Sequence, residues 1–532
     1  MIDAPPILGA SRRWVPPSWM ATVVVAGLWL AAGPATPDLA AQVHRVGEFA
    51  ANGFTIWDNS WYGGHHLPGY SLVFPALGSA IGARLAGAVA AVVSAALFGV
   101  LLGPGRRSAA CWWFAVSCSA DLLIGRLTYA LGVTFGLAAV TALARARPRL
   151  AAGLAVVCAA TSPLAGLFLA LAGVAIAIAQ RRRAGLVMGG AAAAVVVTLS
   201  TAFPEGGSQP FSPASFLVTI AISAAAAAVV GPRPVLRWGL VLYVLAVVVS
   251  FVVPSPMGGN VTRLGSAFVA PALVMVAPSV RGRGRLALVV VLCAACAWQW
   301  VDAFGQVARG WRDPSSAAAY YQPLIARLQP AGDTTFRVEV PFTRGHWESV
   351  YLARDVALAR GWERQLDRRL NALFYTPRLD ADAYHHWLRA NAVRYVALPD
   401  VPMDVAGEQE ARLVRRSPSF LRPVWANAHW RLFRVTDALA LASRRADRTW
   451  LSNARVRVRV RRRGDVLLRV HWTPYWRLAA GAGCLSERHG WTMLDARRAG
   501  TFVLTPRFSL GRFLERLPVC APEPSPRPAA GA

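Results

Sequence analysis

Long runs of apolar residues recur along the first three hundred positions of the chain and are rare after that. A helix needs about 20 apolar residues to cross a bilayer, and many of the runs approach that length. Helical spans are predicted at residues 17–34, 85–103, 108–124, 127–144, 150–161, 163–180, 184–202, 214–231, 238–254, 266–280 and 286–304. The pattern therefore predicts a polytopic α-helical membrane protein with about 11 spans.

The segment of residues 37–75 breaks this pattern. It lies between the first two predicted spans, and it is polar and rich in Trp, Tyr and Phe. Loops of this length are usually functional or disordered, and the aromatic content argues against disorder. We therefore predict that residues 37–75 form the active or binding loop.

Arginine is distributed unequally between the two sets of short loops. One set holds Arg12, Arg13, Arg106, Arg107, Arg145, Arg147, Arg149, Arg181, Arg182, Arg183, Arg233, Arg237, Arg281, Arg283 and Arg285. The alternate set holds Arg45, Arg84, Arg126 and Arg263. Because arginine accumulates in cytoplasmic loops, the N-terminus is predicted to be cytoplasmic and residues 37–75 to lie outside.

An odd number of spans places everything after Gln306 outside as well. This conclusion depends on the segments 150–161 and 163–180, which are separated by Ser162. If they form one kinked helix, the C-terminal half lies in the cytoplasm instead.

The composition changes after residue 305. Twenty of the 27 acidic residues follow Gln306, and the apolar runs shorten, as is typical of a soluble domain. Helices are predicted at 314–329 and 380–391, and strands at 336–340, 393–398 and 429–435. The chain is thus divided into a membrane domain (1–305), an extracytoplasmic α/β domain (311–440), an extracytoplasmic β-sandwich-like domain (441–520) and a disordered proline-rich tail (521–532).

Strict alternation of Arg and Val marks residues 455–460 in the third of these domains. A turn at 463–465 and a returning strand at 466–472 predict a hairpin with one basic face. This face is interpreted either as a binding surface for an acidic or sugar polymer or as an ordinary solvated charged face.

Charge and cysteine usage limit the class of protein and the compartment of its C-terminal half. The formal net charge is +29, but all 56 basic residues are Arg and none is Lys, which is typical of a GC-rich bacterial genome and not of a nucleic-acid-binding protein. Five of the seven cysteines lie in apolar spans. Cys484 and Cys520 remain as the candidate disulfide, which requires an oxidising compartment.

Acidic residues are scarce in the membrane half, and six of the seven fall on the predicted outer side. These are Asp38, Glu48, Asp58, Asp121, Glu205 and Asp302. Carboxylates at a membrane boundary are costly and are therefore functional candidates. Arg126 and Arg263 are also at predicted outer helix ends, where a guanidinium group can hold a phosphate.

A family resemblance appears at these residues. Asp38 follows the first span, His44 and Arg45 come next, and residues 61–70 read W-Y-G-G-x-x-x-P-G-Y. This arrangement resembles the GT-C class of membrane glycosyltransferases and the bacterial integral membrane proteins related to it. The segments 121–140 and 161–173 are similar to spans of the same group, so that the resemblance covers about residues 17–305.

The resemblance implies sugar transfer from a polyprenyl-phosphate donor to a glycan or protein of the cell envelope, at the plasma (inner) membrane. It implies that Asp38 activates the acceptor hydroxyl or binds a divalent cation, and that Asp121 supports it. Pro37 and Leu39 flank Asp38 where the commonest pattern has a second acid, so no set of metal ligands is assigned. The candidate substrate-binding residues are His44, Arg45, Asp58, Trp61, Tyr62, His65, Tyr70, Arg126, Asn260 and Arg263.

Each candidate has a structural alternative. Asp38 can cap a loop helix, the Trp and Tyr residues can form an interfacial belt, and Arg126 and Arg263 can extend to lipid headgroups. Asn260 begins an N-V-T sequon, which is coincidental in a short bacterial loop. Glu363 and Asp367 are interpreted as members of helical salt-bridge faces.

The alternative function is a non-enzymatic transporter, flippase or envelope-assembly scaffold. A transporter is expected to place charges or broken helices near the middle of the membrane, whereas the charges here cluster at the predicted outer rim.

Overall fold

The structure is a computed structural model that describes residues 17–103, 109–282, 284–328, 334–515 and 519–520. Arg12, Arg13, Arg106, Arg107, Arg283 and the predicted tail at 521–532 lie outside these residues.

Helices make up nearly all of the first three hundred described residues. They are α1 (Trp19–Ala32), α2 (Pro37–Asn52), α3 (Phe74–Ile81), α4 (Ala83–Leu102), α5 (Ala109–Ser117), α6 (Ala120–Ile124), α7 (Leu127–Ala144), α8 (Pro148–Thr161), α9 (Pro163–Gln180), α10 (Arg183–Ala202), α11 (Pro213–Val230), α12 (Pro234–Val252), α13 (Thr262–Val276) and α14 (Gly284–Gly310). The segments predicted as spans all coincide with helical residues.

Eight of the helical segments in the described part of the chain are long and apolar enough to cross a membrane. These are α4, α7, α9 to α12, α13 with its flanking turns, and α14. The count becomes 9 if α1 and α2 form one span, but they are bent by 80°. The predicted number of about 11 is not confirmed, because α8 and the α5–α6 segment are too short to meet the same criterion. The protein is nevertheless a membrane protein by its helical composition.

Much of the segment 37–75 is helical, which the sequence pattern did not predict. Helix α2 covers Pro37–Asn52, and Pro37 at its first position is already fixed in a helical φ. Its polar residues His44, Arg45 and Glu48 are buried together with Leu39. The hydrophobicity pattern therefore did not reveal α2, because the buried face of this helix carries polar residues where apolar ones are expected. The rest of the segment forms the short hairpin of β1 (Trp57–Asp58) and β2 (His65–His66).

The chain reverses direction between α8 and α9. A Cβ atom built on Gly166 would lie 2.6 Å from the Cβ of Ala159. In one continuous helix these positions would be about 10 Å apart, because each residue adds 1.5 Å. Ser162 is extended and its hydroxyl caps α9. The two helices therefore form a hairpin and not a single kinked span.

The second half of the chain begins with a mixed α/β domain. Its elements are α15 (Ala318–Leu328), β3 (Arg337–Glu339), α16 (Glu348–Tyr351), β4 (Ala357–Leu358), α17 (Arg364–Leu370), α18 (Ala381–Ala390), β5 (Val393–Pro399), α19 (Val405–Arg415), β6 (Leu421–Ala426) and β7 (Trp430–Val435). The strand order is β4-β3-β5-β7-β6, with β3 parallel to β4 and β5 and the other neighbours antiparallel. The helices and strands predicted here are confirmed.

Two antiparallel sheets follow and pack face to face. Their elements are β8 (Ala446–Ser452), β9 (Arg455–Val460), β10 (Gly464–His471), β11 (Trp476–Ala480), β12 (Gly483–Arg488), β13 (Trp491–Ala496), β14 (Gly500–Pro506), α20 (Leu510–Glu515) and β15 (Val519–Cys520). One sheet has the order β10-β13-β12-β15 and the other β11-β14-β9-β8. Their facing side chains, such as Val458, Leu468 and Phe502, form one core. Cys484 and Cys520 lie opposite each other on β12 and β15 and form the predicted disulfide.

The soluble half, from α15 onward, is joined to the helical bundle through a shared core. Trp61 and Phe74 of the first segment belong to the same buried cluster as Val338 and Trp430 of the α/β domain. Tyr475 donates a hydrogen bond to the carbonyl oxygen of Ala202, the last residue of α10 (2.7 Å). The soluble half therefore rests on the bundle end where α10 finishes, which is opposite to the arginine-rich turns at 145–149 and 181–183.

Candidate functional site

Residues 56–66 are all buried and lie between the bundle and the soluble half. The backbone amide of Leu358 donates to Ser60 (2.8 Å), and that of Asn59 donates to Asn453 (2.7 Å). Trp61 is fully buried, and its indole N–H donates to the carbonyl of Ser349 (3.1 Å). These contacts fix the soluble half on the bundle, and we call residues 56–66 the joint.

Asp58 of the joint forms a buried pair with His44 of α2. The Nε2 atom of His44 lies 2.9 Å from Asp58, whose carboxylate also accepts from the hydroxyl of Ser60. The ring of His44 stacks on Trp61 with 4.0 Å between centroids. Burial opposes ionisation of Asp58, but the hydrogen bond and charge of His44, together with His65 and Ser60, outweigh it and lower the pKa of the carboxyl to about 2. The pair therefore has partners inside the protein and does not face the cavity described below.

Tyr62 and the two adjacent histidines are also enclosed. The hydroxyl of Tyr62 bonds to Gly361 and accepts from the amide of Glu363 (2.9 Å). His65 stacks on Trp61, and neither of its ring nitrogens has a hydrogen-bond partner among the described residues. His66 pairs with Glu205 at 2.8 Å. The Trp and Tyr residues of the joint therefore do not form an interfacial belt, because Trp57, Trp61 and Tyr62 are at most 2% exposed.

Glu48 gives the joint a pH dependence that can be tested. Burial first, and then the charge of Asp58, raises the pKa of Glu48 from 4.5 to about 7. Because the pKa is higher in the folded state, the stabilisation is complete below pH 4.5 and is lost as the pH rises through 7. Glu48→Gln keeps the contact with Asn453, so we expect it to stabilise the protein by up to about 3 kcal/mol at pH 8 and to change nothing at pH 4. Thermal unfolding in nanodiscs at both pH values measures this; equal shifts at both would contradict it.

A cavity of about 1130 Å³ lies beside the joint, where the soluble half meets the bundle. The first turns of α2 and α7, the α8–α9 turn, the end of α10 and the chain before α13 form its bundle side. Residues 344–346, 362–365 and 404 form its other side. All of these bundle elements are at the end opposite to the arginine-rich turns.

Asp38 lies at the centre of the bundle side. It is in the first turn of α2, where a carboxylate is favoured by the helix dipole, but it makes no capping hydrogen bond. The Nε atom of Arg126 donates to Asp38 at 3.3 Å, and Nη2 of Arg263 is 3.8 Å from the same oxygen. The three residues line the cavity, so each arginine has a specific acidic partner within the protein.

Asp121 is close to this group without lining the cavity. It interacts electrostatically with Arg126, Arg263 and Asp38. Its backbone carbonyl accepts from the amide of Arg126 (2.8 Å) and thereby fixes the start of α7. The two carboxylates singled out in the sequence thus share the same pair of arginines.

Tyr70 and Arg45 connect the cavity with the joint. The guanidinium carbon of Arg45 lies 3.7 Å from the ring centroid of Tyr70, and Arg45 also donates to Glu363 (2.9 Å). The hydroxyl of Tyr70, which lines the cavity, bonds to Gln42. Gln42 is one turn after Asp38 and also lines the cavity.

The soluble half contributes a second charged wall. Arg364 donates twice to Asp404, at 2.8 and 2.7 Å, and His346 stacks on Trp362 at 3.4 Å. Burial raises the pKa of Asp404, but the hydrogen bonds and charges of its neighbours His346 and Arg364 together outweigh it and hold that pKa well below the ordinary value. The indole N–H of Trp362 donates to the carbonyl of Pro37 at 2.8 Å. This bond fixes the backbone immediately before Asp38.

The third wall is apolar and is supplied by membrane helices. Leu164 and Leu167 of α9, Val196 of α10 and Phe211 line the cavity. Leu167 is 38% exposed, whereas Val196 is only 8% exposed. This wall of the cavity is therefore built from helices that are long and apolar enough to cross a membrane.

The remaining candidates are placed as follows. Asn260 lines the cavity, and its amide donates to the carbonyl of Pro256 (3.3 Å). Among the residues that the structure describes, no three His, Cys, Asp or Glu side chains are grouped closely enough to hold a metal ion. Asp38, Tyr70, Arg126, Asn260 and Arg263 thus come together at the cavity, while His44, Asp58, Trp61, Tyr62 and His65 are enclosed in or against the joint.

Sequence reasoning missed several cavity residues. Gln42 follows Asp38 by four positions, and this helical spacing is a signal that was available once α2 is recognised. Trp362, Arg364 and Asp404 carry no comparable signal, because they reach the cavity only through docking of the soluble half. Asp367, interpreted as part of a solvated salt-bridge face, is fully buried.

No protein-family model matches the chain, and no curated protein is significantly similar to it.

Proposed function

We propose that the protein is a GT-C-like glycosyltransferase of the plasma (inner) membrane, which transfers a sugar from a polyprenyl-phosphate donor to a glycan or protein of the cell envelope. The observation that carries this proposal is a single cavity that joins a carboxylate, two adjacent guanidinium groups and an apolar wall formed by membrane helices. A polyprenyl-phosphate sugar needs all three features: a carboxylate beside its sugar, guanidinium groups at its phosphate and apolar surface along its tail.

The donor is oriented by the chemistry of the walls. Its polyprenyl tail lies along Leu164, Leu167 and Val196, the apolar side chains that the membrane helices α9 and α10 supply to the cavity. Its phosphate lies against Arg126 and Arg263, whose guanidinium groups form strong charge-assisted hydrogen bonds. The sugar is then placed beside Asp38, since both arginines contact that carboxylate.

The reaction follows from this placement. Asp38 takes the proton of the acceptor hydroxyl while the acceptor oxygen bonds to C1 of the sugar. The bond between C1 and the phosphate oxygen breaks, and the electron pair leaves with the polyprenyl phosphate. Arg126 and Arg263 stabilise the negative charge that develops on this leaving group.

The proposed orientation has the cavity and the soluble half outside the cytoplasm. The described residues at 145–149, 181–183, 233–237, 281–282 and 284–285 include arginines, and the cavity is at the opposite end of the bundle. The arginine-rich ends are expected on the cytoplasmic side. The disulfide of the soluble half supports the same orientation, because such bonds persist in oxidising compartments.

Asp38→Asn tests the assignment of the base. The amide has the size of the carboxylate but cannot accept the hydroxyl proton, so we expect sugar transfer to fall by about 100-fold or more. The assay uses the full chain in lipid nanodiscs, polyprenyl-phosphate hexoses and pentoses labelled in the sugar, and an envelope glycan preparation as acceptor.

Asp447→Asn is the matched control, since Asp447 is an exposed carboxylate on the soluble half. It is expected to retain full transfer, and both variants should unfold at the temperature of the unchanged protein. Transfer by Asp38→Asn at the unchanged rate removes Asp38 from the mechanism. Movement of labelled donor across the bilayer without sugar transfer favours a flippase instead.

A further inference from the structure

The outer face of the sheet β11-β14-β9-β8 carries a row of arginine side chains. The strict alternation of β9 buries Val456, Val458 and Val460 in the sandwich core and exposes every arginine on the opposite side. Arg455, Arg457 and Arg459 of β9 and Arg448 of β8 make up this row, which we call the arginine face.

Like charges lie next to each other on the arginine face. Arg448 and Arg459 are directly paired across β8 and β9, and Arg457 is opposite Trp450. Its guanidinium carbon lies 4.7 Å from the Trp450 ring centroid. Like charges at directly opposed positions destabilise a sheet, so an ordinary solvated face is expected to mix signs.

The sheet contains little to balance this charge. Asp447 is the one carboxylate in the sequences of its four strands; it pairs with Arg461 at 2.8 Å and also interacts with Arg459 and Arg448, so one negative charge faces several arginines. Protection of a sheet edge does not explain the row either, because β9 is an inner strand between β14 and β8. The opposite sheet differs, since Asp465 and Asp495 are paired there.

The direction of the row distinguishes between anionic partners. Near Arg455, the turn between β8 and β9 is attached to the joint, because Asn59 donates to the carbonyls of Asn453 (2.7 Å) and Ser452 (2.9 Å). At its other end β9 enters the exposed turn of residues 461–464. The row therefore runs from the bundle towards the free end of the soluble half. A flat bilayer can meet only one end of such a row, whereas an extended polymer can follow it.

We propose that the arginine face binds an extended acidic glycan that bears carboxylate or phosphate groups. Guanidinium groups pair with both of these anions in a two-point geometry. Alternate residues on one strand are about 6.7 Å apart, so that three arginines contact successive charged units of one chain. This binding is independent of the sugar transfer proposed above, because none of the four arginines lines the cavity.

The triple variant Arg455→Gln, Arg457→Gln, Arg459→Gln tests the proposal. The full chain is held in nanodiscs of neutral lipid, and polygalacturonate serves as the acidic glycan, with neutral dextran for comparison. We expect salt-sensitive binding of polygalacturonate only, weakened by about tenfold or more in the triple variant. Sugar transfer to a small soluble acceptor is expected to be unchanged, which separates this test from that of Asp38.

A second triple variant serves as the control, because it removes three positive charges from a different surface of the soluble half. Arg412→Gln, Arg415→Gln, Arg416→Gln alters three exposed arginines at the end of α19 and should weaken binding by less than about twofold. Equal losses in both variants, or no binding by the unchanged protein, overturn the proposal. Stronger binding to anionic lipid vesicles or to a DNA duplex than to polygalacturonate overturns it as well.

Discussion

Arg360→Met is expected to prevent the α/β domain from folding stably at neutral pH. Arg360 is 2% exposed and donates to Asp367 at 3.1 and 2.6 Å and to Glu410 at 3.2 Å. Glu339, which is fully buried, lies 3.9 Å away. Without the guanidinium group, three buried carboxylates have no cation beside them. Breaking such a buried pair costs about 3–5 kcal/mol, and here several acids share one base.

The size of the loss should depend on pH. Burial raises the pKa of Glu410 to about 7 and holds that of Glu339 well above its ordinary value. Both acids are therefore easily neutralised, so the deficit of Arg360→Met is expected to shrink as the pH falls from 8 to 5. Thermal unfolding of the full chain in nanodiscs at both pH values measures the effect. Arg360→Lys keeps the positive charge but not the two-point contact with Asp367. Its stability should therefore lie between those of the unchanged protein and Arg360→Met. Unchanged stability at pH 8 refutes this account of the cluster.

Trp61→Ala is expected to loosen the soluble half from the bundle without unfolding either part. The indole fills the space between His44 and the ring of His65, and it donates to Ser349 on the soluble half. Removing a fully buried Trp typically costs about 3–5 kcal/mol. Because Trp362 holds the backbone before Asp38 only while the two halves are docked, donor turnover should be lost as well.

Hydrogen exchange measured over residues 37–75 reports the loosening directly. We expect faster exchange in Trp61→Ala, while exchange in the strands of the β-sandwich stays slow. Trp311→Ala is the matched control, since Trp311 is 53% exposed and its removal should change neither exchange nor turnover. Slow exchange throughout residues 37–75 in Trp61→Ala shows that the joint does not depend on this ring.

The sequence predicted the helices of the bundle well because each one is apolar on several sides and ends at Gly, Pro or Arg. It failed at α2, where the buried face carries His44, Arg45 and Glu48. These residues look solvent-exposed in a hydrophobicity pattern, but each has a charged or polar partner in the folded protein. The number of spans also could not be derived, since α1 and α8 have the composition of spans but only 14 residues each.

Half of the candidate site was accessible from the sequence. Asp38, Arg126 and Arg263 stood out because charges are rare at the ends of membrane helices, although they come from three distant parts of the chain. Their meeting point follows from helix packing, which periodicity does not specify. The aromatic residues of the joint stood out for their number, but number does not distinguish a ring that faces a ligand from a ring packed between two domains. Trp61 and Tyr62 belong to the second kind.

The enclosure of residues 56–66 also has a consequence for biogenesis. This segment emerges early during synthesis, yet its partners Ser349, Leu358, Gly361 and Asn453 are made some three hundred residues later or more. The indole and imidazole rings of this segment therefore stay exposed until the last third of the polypeptide has reached the same side of the bilayer. A chain truncated before Ser349 is consequently expected to expose an aggregation-prone aromatic surface and to be a substrate for chaperones and quality-control proteases.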